Sequence, residues 1–251
     1  MEQIFQGFIP SRGAETFVLV HGAWHGAWCW KKVEVLLHAL GHKTIAIDLP
    51  AHGKTPGAIT EQSLATFADY VAQVLDSQPE PVILVGHSMA GAIITEAAER
   101  SPKKVKKLVY LAAFLLTSGQ SGHGIDGTGL IPKDLVAFSS DGITADCAHD
   151  TLKARYAQKC SAVDQENICR NLTREVIAPL ITPVHHTPER WGSIRRFFIA
   201  GSDDLAFHRE IVQQMLAALP CEEAYELLGD HDLFYSAPVE LAYVLNRIAL
   251  R

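Results

Sequence analysis

Apolar runs alternate with amphipathic segments along most of this 251-residue chain. Short runs rich in β-branched and other apolar residues predict strands at 16–20, 44–47, 82–86, 105–113 and 194–200, and a further strand is expected at 222–228. Apolar positions at helical spacing predict helices at about 28–40, 63–77, 206–219 and 237–249, with one more ending near 100. Strands that alternate with helices indicate an α/β fold, with a parallel sheet covered on both faces.

Residues 114–190 interrupt this alternation. Several glycines make the beginning of the segment loop-like, and helical stretches are expected at about 132–139, 150–159 and 163–171. A structureless connection of this length is rare in a compact domain. We therefore predict a helical cap at 114–190, inserted in a core formed by 1–113 and 191–251.

The most informative stretch is PVILVGHSMAGAIITEAAER at 81–100. A buried strand runs into the small-residue turn Gly86-His87-Ser88-Met89-Ala90-Gly91, and a helix follows. This pattern is typical of the nucleophile elbow of α/β-hydrolases, in which the serine stands at the apex of a strained turn. Ala90 occupies the place of the usual second glycine, and an ordinary turn with a surface serine remains the alternative.

A serine nucleophile needs an imidazole base and a carboxylate that orients it, and these follow in the chain order serine, acid, histidine. The strand at 194–200 leads into Gly201-Ser202-Asp203-Asp204, and the last predicted strand leads into Gly229-Asp230-His231-Asp232. We predict His231 as the base and Asp204 as the acid, with Asp203 as the second choice. Both follow strand ends, where open parallel sheets place their ligand sites.

The oxyanion of the reaction needs two backbone N–H donors. One is expected from Met89, directly after the nucleophile, and the other from Ala23, in the turn after the first strand. The chain has 12 histidines. His21 and His25 could shape that turn, and neither they nor His185-His186 show a third metal ligand, so no metal is expected.

Composition narrows the remaining classes of protein. The chain is 48% hydrophobic and 20% charged, with a net charge of −6, so a large core is expected and disorder is not. One basic cluster, at 103–107, is expected to be a solvated turn rather than a nucleic-acid patch. No secretory signal or membrane span is evident. Five cysteines without metal spacing indicate reduced thiols and a cytoplasmic location, although a Cys160–Cys169 bridge is conceivable.

Several motifs together resemble a known group of enzymes. HGAWHGAWCW, LGHKTIAIDLPAHG, VILVGHSMAG, VYLAAFL and the final GDH resemble the methylesterase and hydroxynitrile-lyase branch of the α/β-hydrolases and its bacterial carboxylesterase relatives, which include salicylate-esterase-like and pyrethroid-hydrolase-like enzymes. The resemblance covers nearly all of the core and weakens across the cap. It implies a triad of Ser88, Asp204 and His231, with oxyanion donors at Ala23 and Met89.

Two departures separate the chain from the lyases of this branch. Those enzymes carry a threonine after the first histidine of the turn and a lysine after the catalytic histidine, and here these positions are Gly22 and Asp232. Gly22 cannot do the work of that threonine, Asp232 cannot do the work of that lysine, and Asp232 would repel an anion. The resemblance therefore implies an esterase rather than a cyanide-releasing lyase.

We predict a cofactor-free serine carboxylesterase that acts on small to medium hydrophobic esters. Trp24, Phe114, Leu130 and Leu135 are the candidate pocket residues. A small hydrophobic ester is the expected binding partner, and neither nucleic acid nor membrane is expected; the sequence does not determine the oligomeric state. A lactonase or a narrow methyl esterase fits the same residues. A hydroxynitrile lyase and a ligand receptor on a hydrolase scaffold are the more distant alternatives.

Overall fold

The computed structural model describes residues 13–122 and 136–251. Its strands are β1 (Thr16–Val20), β2 (Lys43–Ile47), β3 (Val82–His87), β4 (Val105–Leu111), β5 (Val136–Phe138), β6 (Thr144–Cys147), β7 (Glu175–Val176), β8 (Arg195–Gly201) and β9 (Glu223–Leu227). Its α-helices are α1 (Lys31–Ala39), α2 (Leu64–Asp76), α3 (Ala90–Arg100), α4 (His149–Arg155), α5 (Ala162–Asn171), α6 (Ala178–Ile181), α7 (Arg209–Ala218), α8 (Leu233–Ser236) and α9 (Pro238–Ala249).

The main sheet contains six strands in the order β2-β1-β3-β4-β8-β9, and every neighbouring pair is parallel. Strand β3 lies near the middle and is buried along its whole length. Because the strands are parallel, their carboxyl ends share one edge, and the turns after β1, β3, β8 and β9 meet there. The predicted α/β-hydrolase fold is confirmed.

Two hydrophobic clusters cover the two faces of this sheet. Successive residues of β1 point to opposite sides, so Phe17 belongs to one cluster and Val18 to the other. Helices α2, α3 and α7 pack on the face that includes Val18, and α1 and α9 pack on the face that includes Phe17. With both faces covered, the inner strands such as β1 and β3 read as continuous apolar runs, which is why the sequence shows them clearly.

The segment between β4 and β8 is not wholly helical as predicted. Strands β5, β6 and β7 form a separate antiparallel sheet, and the part of the predicted helix at 132–139 that the structure describes is strand β5. Helices α4 and α5 confirm the other two helical stretches, with slightly different ends. These strands have only two to four residues, which is too short for a recognisable hydrophobic period, so no pattern in the sequence predicts them.

The basic cluster also differs from its prediction. Lys107 lies in β4 with only 2% of its surface exposed, and its ammonium group donates to the carbonyls of Ile248 and Ala249 at the end of α9. A cation at this place satisfies carbonyls that have no partner within the helix. Lys107 thus stabilises the end of the last helix instead of facing solvent.

All five cysteines are free thiols, so Cys160 and Cys169 form no bridge. Within the two described ranges, no helix is long and apolar enough to cross a membrane.

Candidate active site

Ser88 lies at the junction of β3 and α3 with a backbone φ of 54°. A non-glycine residue in this left-handed region is strained and is held by its surroundings. Its amide donates to the carbonyls of Leu111 (3.2 Å) and Ala112 (3.1 Å), and its carbonyl accepts from the amides of Gly91 and Phe114. The turn is therefore tied to the end of β4, and the serine side chain is left half-buried at the carboxyl edge of the sheet.

Gly91 explains why the motif needs a small residue one position later than the usual pattern. A Cβ at this position would lie 2.2 Å from the carbonyl oxygen of Phe114, a distance that no side chain can adopt. Ala90, in contrast, is fully buried and carries its methyl group without needing a positive φ. The close backbone contact that the elbow requires is thus made at Gly91.

His231 and Asp204 come together across 27 residues of sequence. The His231 Nδ1 lies 2.9 Å from Asp204 Oδ2, and both side chains are buried. The other oxygen of Asp204 accepts from the amides of Ala206 (2.7 Å) and Phe207 (2.9 Å). Because a carboxylate only accepts, Nδ1 carries the proton in this pair and Nε2 is free to act as a base.

The charge around His231 favours its protonated form. Burial alone would lower the pKa of His231, but Asp204, with smaller contributions from Asp232 and Asp230, raises it above the ordinary value of histidine. Asp203, the second choice for the acid, is instead paired with Lys159 (3.0 Å) at the surface.

The predicted oxyanion donors, Ala23 and Met89, lie on the turns after β1 and β3 and are both buried. In the parts of the chain that the structure describes, neither backbone N–H has a hydrogen-bond acceptor. A buried amide without an acceptor is uncommon, so both remain available to an oxygen that develops negative charge nearby.

A pocket joins these groups. Ala23, Trp24, Ser88, Phe114 and His231 line it. The other described lining residues were not predicted to line a pocket: His25, His87, Leu152, Tyr156, Leu180, Ala206, Phe207 and Asp232. It encloses about 530 Å³ of space, including its mouth. Leu152, Tyr156 and Leu180 come from the segment between β4 and β8. Of the predicted pocket residues, Leu130 and Leu135 lie outside the described residues.

His87 has a role that its sequence position hid. Its Nε2 donates to the carbonyl oxygen of His231 at 3.1 Å, which holds the loop of the base against the elbow. Its ring is fully buried, and that burial, with the neighbouring His231 and His25, keeps the pKa of His87 well below the ordinary value. A neutral imidazole that holds the loop of His231 beside Ser88 is therefore part of the candidate site.

The turn that carries Ala23 is held by the segment between β4 and β8. Trp24, which also has a positive φ of 63°, donates its amide to Glu175 Oε2 (3.1 Å) and its indole N–H to the carbonyl of Ala145 (3.1 Å). Its own carbonyl accepts from the amide of Thr173 at 2.9 Å. Glu175 Oε2 also lies 3.1 Å from Nε2 of His52, and both side chains are fully buried.

The other histidines that could suggest a metal are used structurally. His21 donates from Nδ1 to the Gly22 carbonyl (2.9 Å) and accepts the Leu49 amide at Nε2 (3.1 Å), so both nitrogens are engaged. His186 Nε2 contacts the Leu116 carbonyl at 3.0 Å. Among the described residues, no three His, Cys, Asp or Glu side chains are grouped to hold a metal ion.

The chain is similar to esterases and to a hydroxynitrile lyase, both in sequence and in structure. A putative chloroplastic methylesterase of Arabidopsis thaliana, methylesterase 11, is 33% identical over 93% of this chain. An alpha-hydroxynitrile lyase of the same plant is 34% identical over 93% of this chain and 96% of its own length. The crystal structure of polyneuridine aldehyde esterase superposes with a TM-score of 0.85 at 26% identity, covering 94% of this chain and all of that one.

The chain spans only 63% of the length of methylesterase 11. These relatives confirm the resemblance to the methylesterase and hydroxynitrile-lyase branch. A family model described as the alpha/beta hydrolase family matches residues 17–242, which is most of the chain. The chain belongs to the alpha/beta hydrolase family.

Proposed function

We propose that this chain is a serine carboxylesterase with Ser88 as nucleophile, His231 as base and Asp204 as the residue that orients the base. The observation that carries the proposal is the buried 2.9 Å contact between His231 Nδ1 and Asp204, in a pocket shared with Ser88. Relatives of similar length include an esterase of rice, 29% identical over 96% of this chain and 98% of its own.

In the first half of the reaction, His231 Nε2 removes the proton of the Ser88 hydroxyl as its oxygen attacks the ester carbonyl. Asp204 fixes the tautomer of the ring and stabilises the imidazolium that forms. The oxyanion accepts hydrogen bonds from the N–H groups of Ala23 and Met89, each of which is worth about 3–4 kcal/mol in the transition state.

In the second half, His231 gives its proton to the departing alcohol, and the acyl group stays on Ser88. Water then enters, His231 takes a proton from it, and the acyl-enzyme is hydrolysed by the same steps in reverse. These reaction steps require no metal and no organic cofactor. The acyl-enzyme is the covalent intermediate that a rapid-mixing experiment would detect as a burst.

We propose uncharged esters of small to medium size as substrates. Apolar side chains, with Phe114, Leu152, Leu180 and Phe207 among them, form most of the described wall of the pocket, and none of the lining residues in 13–122 and 136–251 is a lysine or an arginine. A carboxylate-bearing ester would therefore find no positively charged anchor on this part of the wall. Methyl esters and lactones satisfy the same requirements and remain within the proposal.

One observation bears on the lyase alternative. A Cβ at Gly22 would lie 2.8 Å from both Ser88 Cβ and His87 Nδ1, so the site has no room for the threonine that the resemblance associates with lyases. Asp232 is also opposite in charge to the lysine that the resemblance associates with lyases at this position. Adding mandelonitrile and following benzaldehyde tests this directly, and release above the uncatalysed rate would favour the lyase.

The experiment that tests the main proposal is hydrolysis of p-nitrophenyl esters from C2 to C12 by wild type and Ser88→Ala. We expect kcat to fall by a factor on the order of 10⁴ or more in the variant, with the same thermal midpoint. The acyl chain length at which kcat/KM is highest would show how long an acyl group the pocket accepts. A single burst without turnover would instead indicate a receptor that has kept its triad.

A further inference from the structure

The described wall of the pocket carries few polar side chains besides those of Ser88 and His231, which the proposed reaction uses. The others with a side-chain nitrogen or oxygen are Trp24, His25, His87, Tyr156 and Asp232. The indole N–H of Trp24 is already bonded to the carbonyl of Ala145. What the remaining four can offer a substrate depends on whether their polar atoms are unpaired and accessible.

Three of these four are closed to a substrate. His25 Nδ1 lies 2.8 Å from the Ala23 carbonyl oxygen, and its Nε2 lies 3.6 Å from Asp232 Oδ2. His87 uses its Nε2 on the carbonyl of His231. The other nitrogen of His87, the Nε2 of His25 and both carboxylate oxygens of Asp232 have no hydrogen bond within the described ranges, but they also have almost no accessible surface. A molecule in the pocket therefore cannot reach them.

The hydroxyl of Tyr156 differs from these atoms. It forms no hydrogen bond in the described parts of the chain, and it keeps accessible surface although only 7% of the residue is exposed. A phenol that is buried this deeply usually has a hydrogen-bond partner. Because Tyr156 lines the pocket, a bound substrate can provide that partner.

Tyr156 is held beside the proposed base. Its ring centroid lies 5.0 Å from that of His231, with 48° between the ring planes. Its carbonyl accepts the amide of Asp232 at 3.1 Å, and its own amide donates to the Leu152 carbonyl at 2.8 Å, at the end of α4. His231 gives its proton to the departing alcohol, so a side chain packed against His231 lies on the side of the alcohol part of the ester.

The hydroxyl of Tyr156 is a neutral donor. Burial and the nearby charge of Asp204 raise the pKa of Tyr156 above the ordinary value of tyrosine, so the phenol keeps its proton at neutral pH. The carboxylates of Asp204 and Asp232 oppose an anionic partner. A neutral oxygen that only accepts, as in an ether or a ketone, fits such a donor, whereas an alkyl group would leave it unpaired.

We propose that Tyr156 determines specificity, with its hydroxyl donating a hydrogen bond to a neutral ether or carbonyl oxygen in the alcohol part of the ester, a few bonds from the oxygen that leaves. This rests on the proposed esterase function. It adds to that function a preference, among uncharged esters, for those of oxygen-bearing alcohols.

The test compares esters in which one oxygen replaces one carbon. Two pairs differ in the alcohol: 2-methoxyethyl butyrate with butyl butyrate, and 2-oxopropyl butyrate with 2-methylpropyl butyrate. A third pair, ethyl methoxyacetate with ethyl butyrate, differs in the acyl group. The readout is the ratio of kcat/KM within a pair, measured by pH-stat titration for wild type and Tyr156→Phe. Comparing this ratio between the two enzymes cancels the intrinsic reactivities of the esters.

We expect Tyr156→Phe to lower the ratio of the oxygen-bearing ester to its alkyl counterpart by about threefold to tenfold in at least one alcohol pair, the effect of one neutral hydrogen bond. The variant keeps the ring and the backbone contacts. Tyr156→Leu also lacks the hydroxyl and should lower the same ratio if Tyr156→Phe does not fold. The control is Tyr243→Phe, which removes a hydroxyl from an exposed position on α9 outside the described lining and should keep the wild-type ratios.

A smaller change in both alcohol pairs would overturn the proposal. If kcat/KM then fell equally for both members of each pair, the hydroxyl would be acting on His231 and not on the substrate. A change in the acyl pair that exceeds those in the alcohol pairs would contradict the placement of Tyr156. If wild type hydrolyses none of the six esters, the esterase function itself is wrong, and the plain alkyl esters separate that failure from the others.

Discussion

Replacing Glu175 by glutamine should destabilise the protein in a way that depends on pH. Glu175 is fully buried, and its carboxylate accepts the amide of Trp24 and contacts Nε2 of His52 at 3.1 Å. The other oxygen of Glu175, Oε1, accepts the amide of Val176 at 2.9 Å. Glutamine has nearly the same shape and can still accept from Trp24, but its amide nitrogen then faces the Val176 N–H, and it carries no charge. The substitution therefore removes the charge-assisted contact with His52, which depends on pH, and the hydrogen bond from Val176, which does not.

The size of the effect follows from that contact. A buried hydrogen bond to a charged group contributes about 1.5–3 kcal/mol, and for a chain of this length 1 kcal/mol corresponds to about 2–4 °C in the thermal midpoint. Burial alone would lower the pKa of His52, but Glu175 raises it above the ordinary value. The stabilisation is thus fully present below about pH 6.5, the value of an unfolded histidine, and is lost as the pH rises through the raised pKa of the folded state.

Scanning calorimetry at pH 6 and at pH 9, at one scan rate, measures both features. We expect Glu175→Gln to lower the midpoint by several degrees at pH 6 and by clearly less at pH 9. The control is Glu166→Gln, which alters an exposed carboxylate paired with Lys153 and should change little at either pH. An equal loss at both pH values would refute the reasoning, because the charge of His52 would then contribute nothing.

Three further predictions concern the base, the oxyanion turn and the last helix. The acid limb of the kcat/KM profile should lie above pH 6.5, because the His231 ring must be neutral to accept a proton. Burial lowers the pKa of His231, but Asp204 raises it by more, so the net pKa is above the ordinary value; a limb at lower pH would contradict this. Gly22→Ala should lower kcat about 10²-fold by displacing Ser88, which assay of the folded variant would show, and wild-type turnover would be evidence against the close contact. Lys107→Met should lower the free energy of unfolding by about 1–3 kcal/mol by leaving the carbonyls of the last helix unpaired, and an unchanged thermal midpoint would argue against that role.

The elements around Ser88 could be predicted because their signals are local. Strands buried on both faces appear as apolar runs, and the elbow needs small residues at fixed neighbouring positions, such as Gly91. Strand ends of a parallel sheet share an edge, so the sequence also led to the pair Asp204 and His231, which the structure brings into contact, with His231 in the pocket of Ser88. Asp204 and His231 are 27 residues apart, yet each follows a recognisable strand.

Other parts of the site depend on contacts that no local pattern carries. Glu175 and His52 are separated by 123 residues, and neither stands in a recognisable motif. Lys107 continues a run of lysines, and only the end of a helix about 140 residues later explains its burial. Asp232 was noticed only as a departure from a family pattern, since its contact with His25 depends on how two distant turns meet.

The bonds of Trp24 have a consequence for redesign of the enzyme. Its amide, carbonyl and indole nitrogen are bonded to Glu175, Thr173 and Ala145, all from the segment between β4 and β8. That segment therefore cannot be exchanged as an independent module to change which substrates enter. A chimaera that takes this segment from a relative would need to keep the Glu175 carboxylate and a backbone that places the same amide and carbonyl against Trp24, or the turn that carries Ala23 would lose its support together with the old pocket wall.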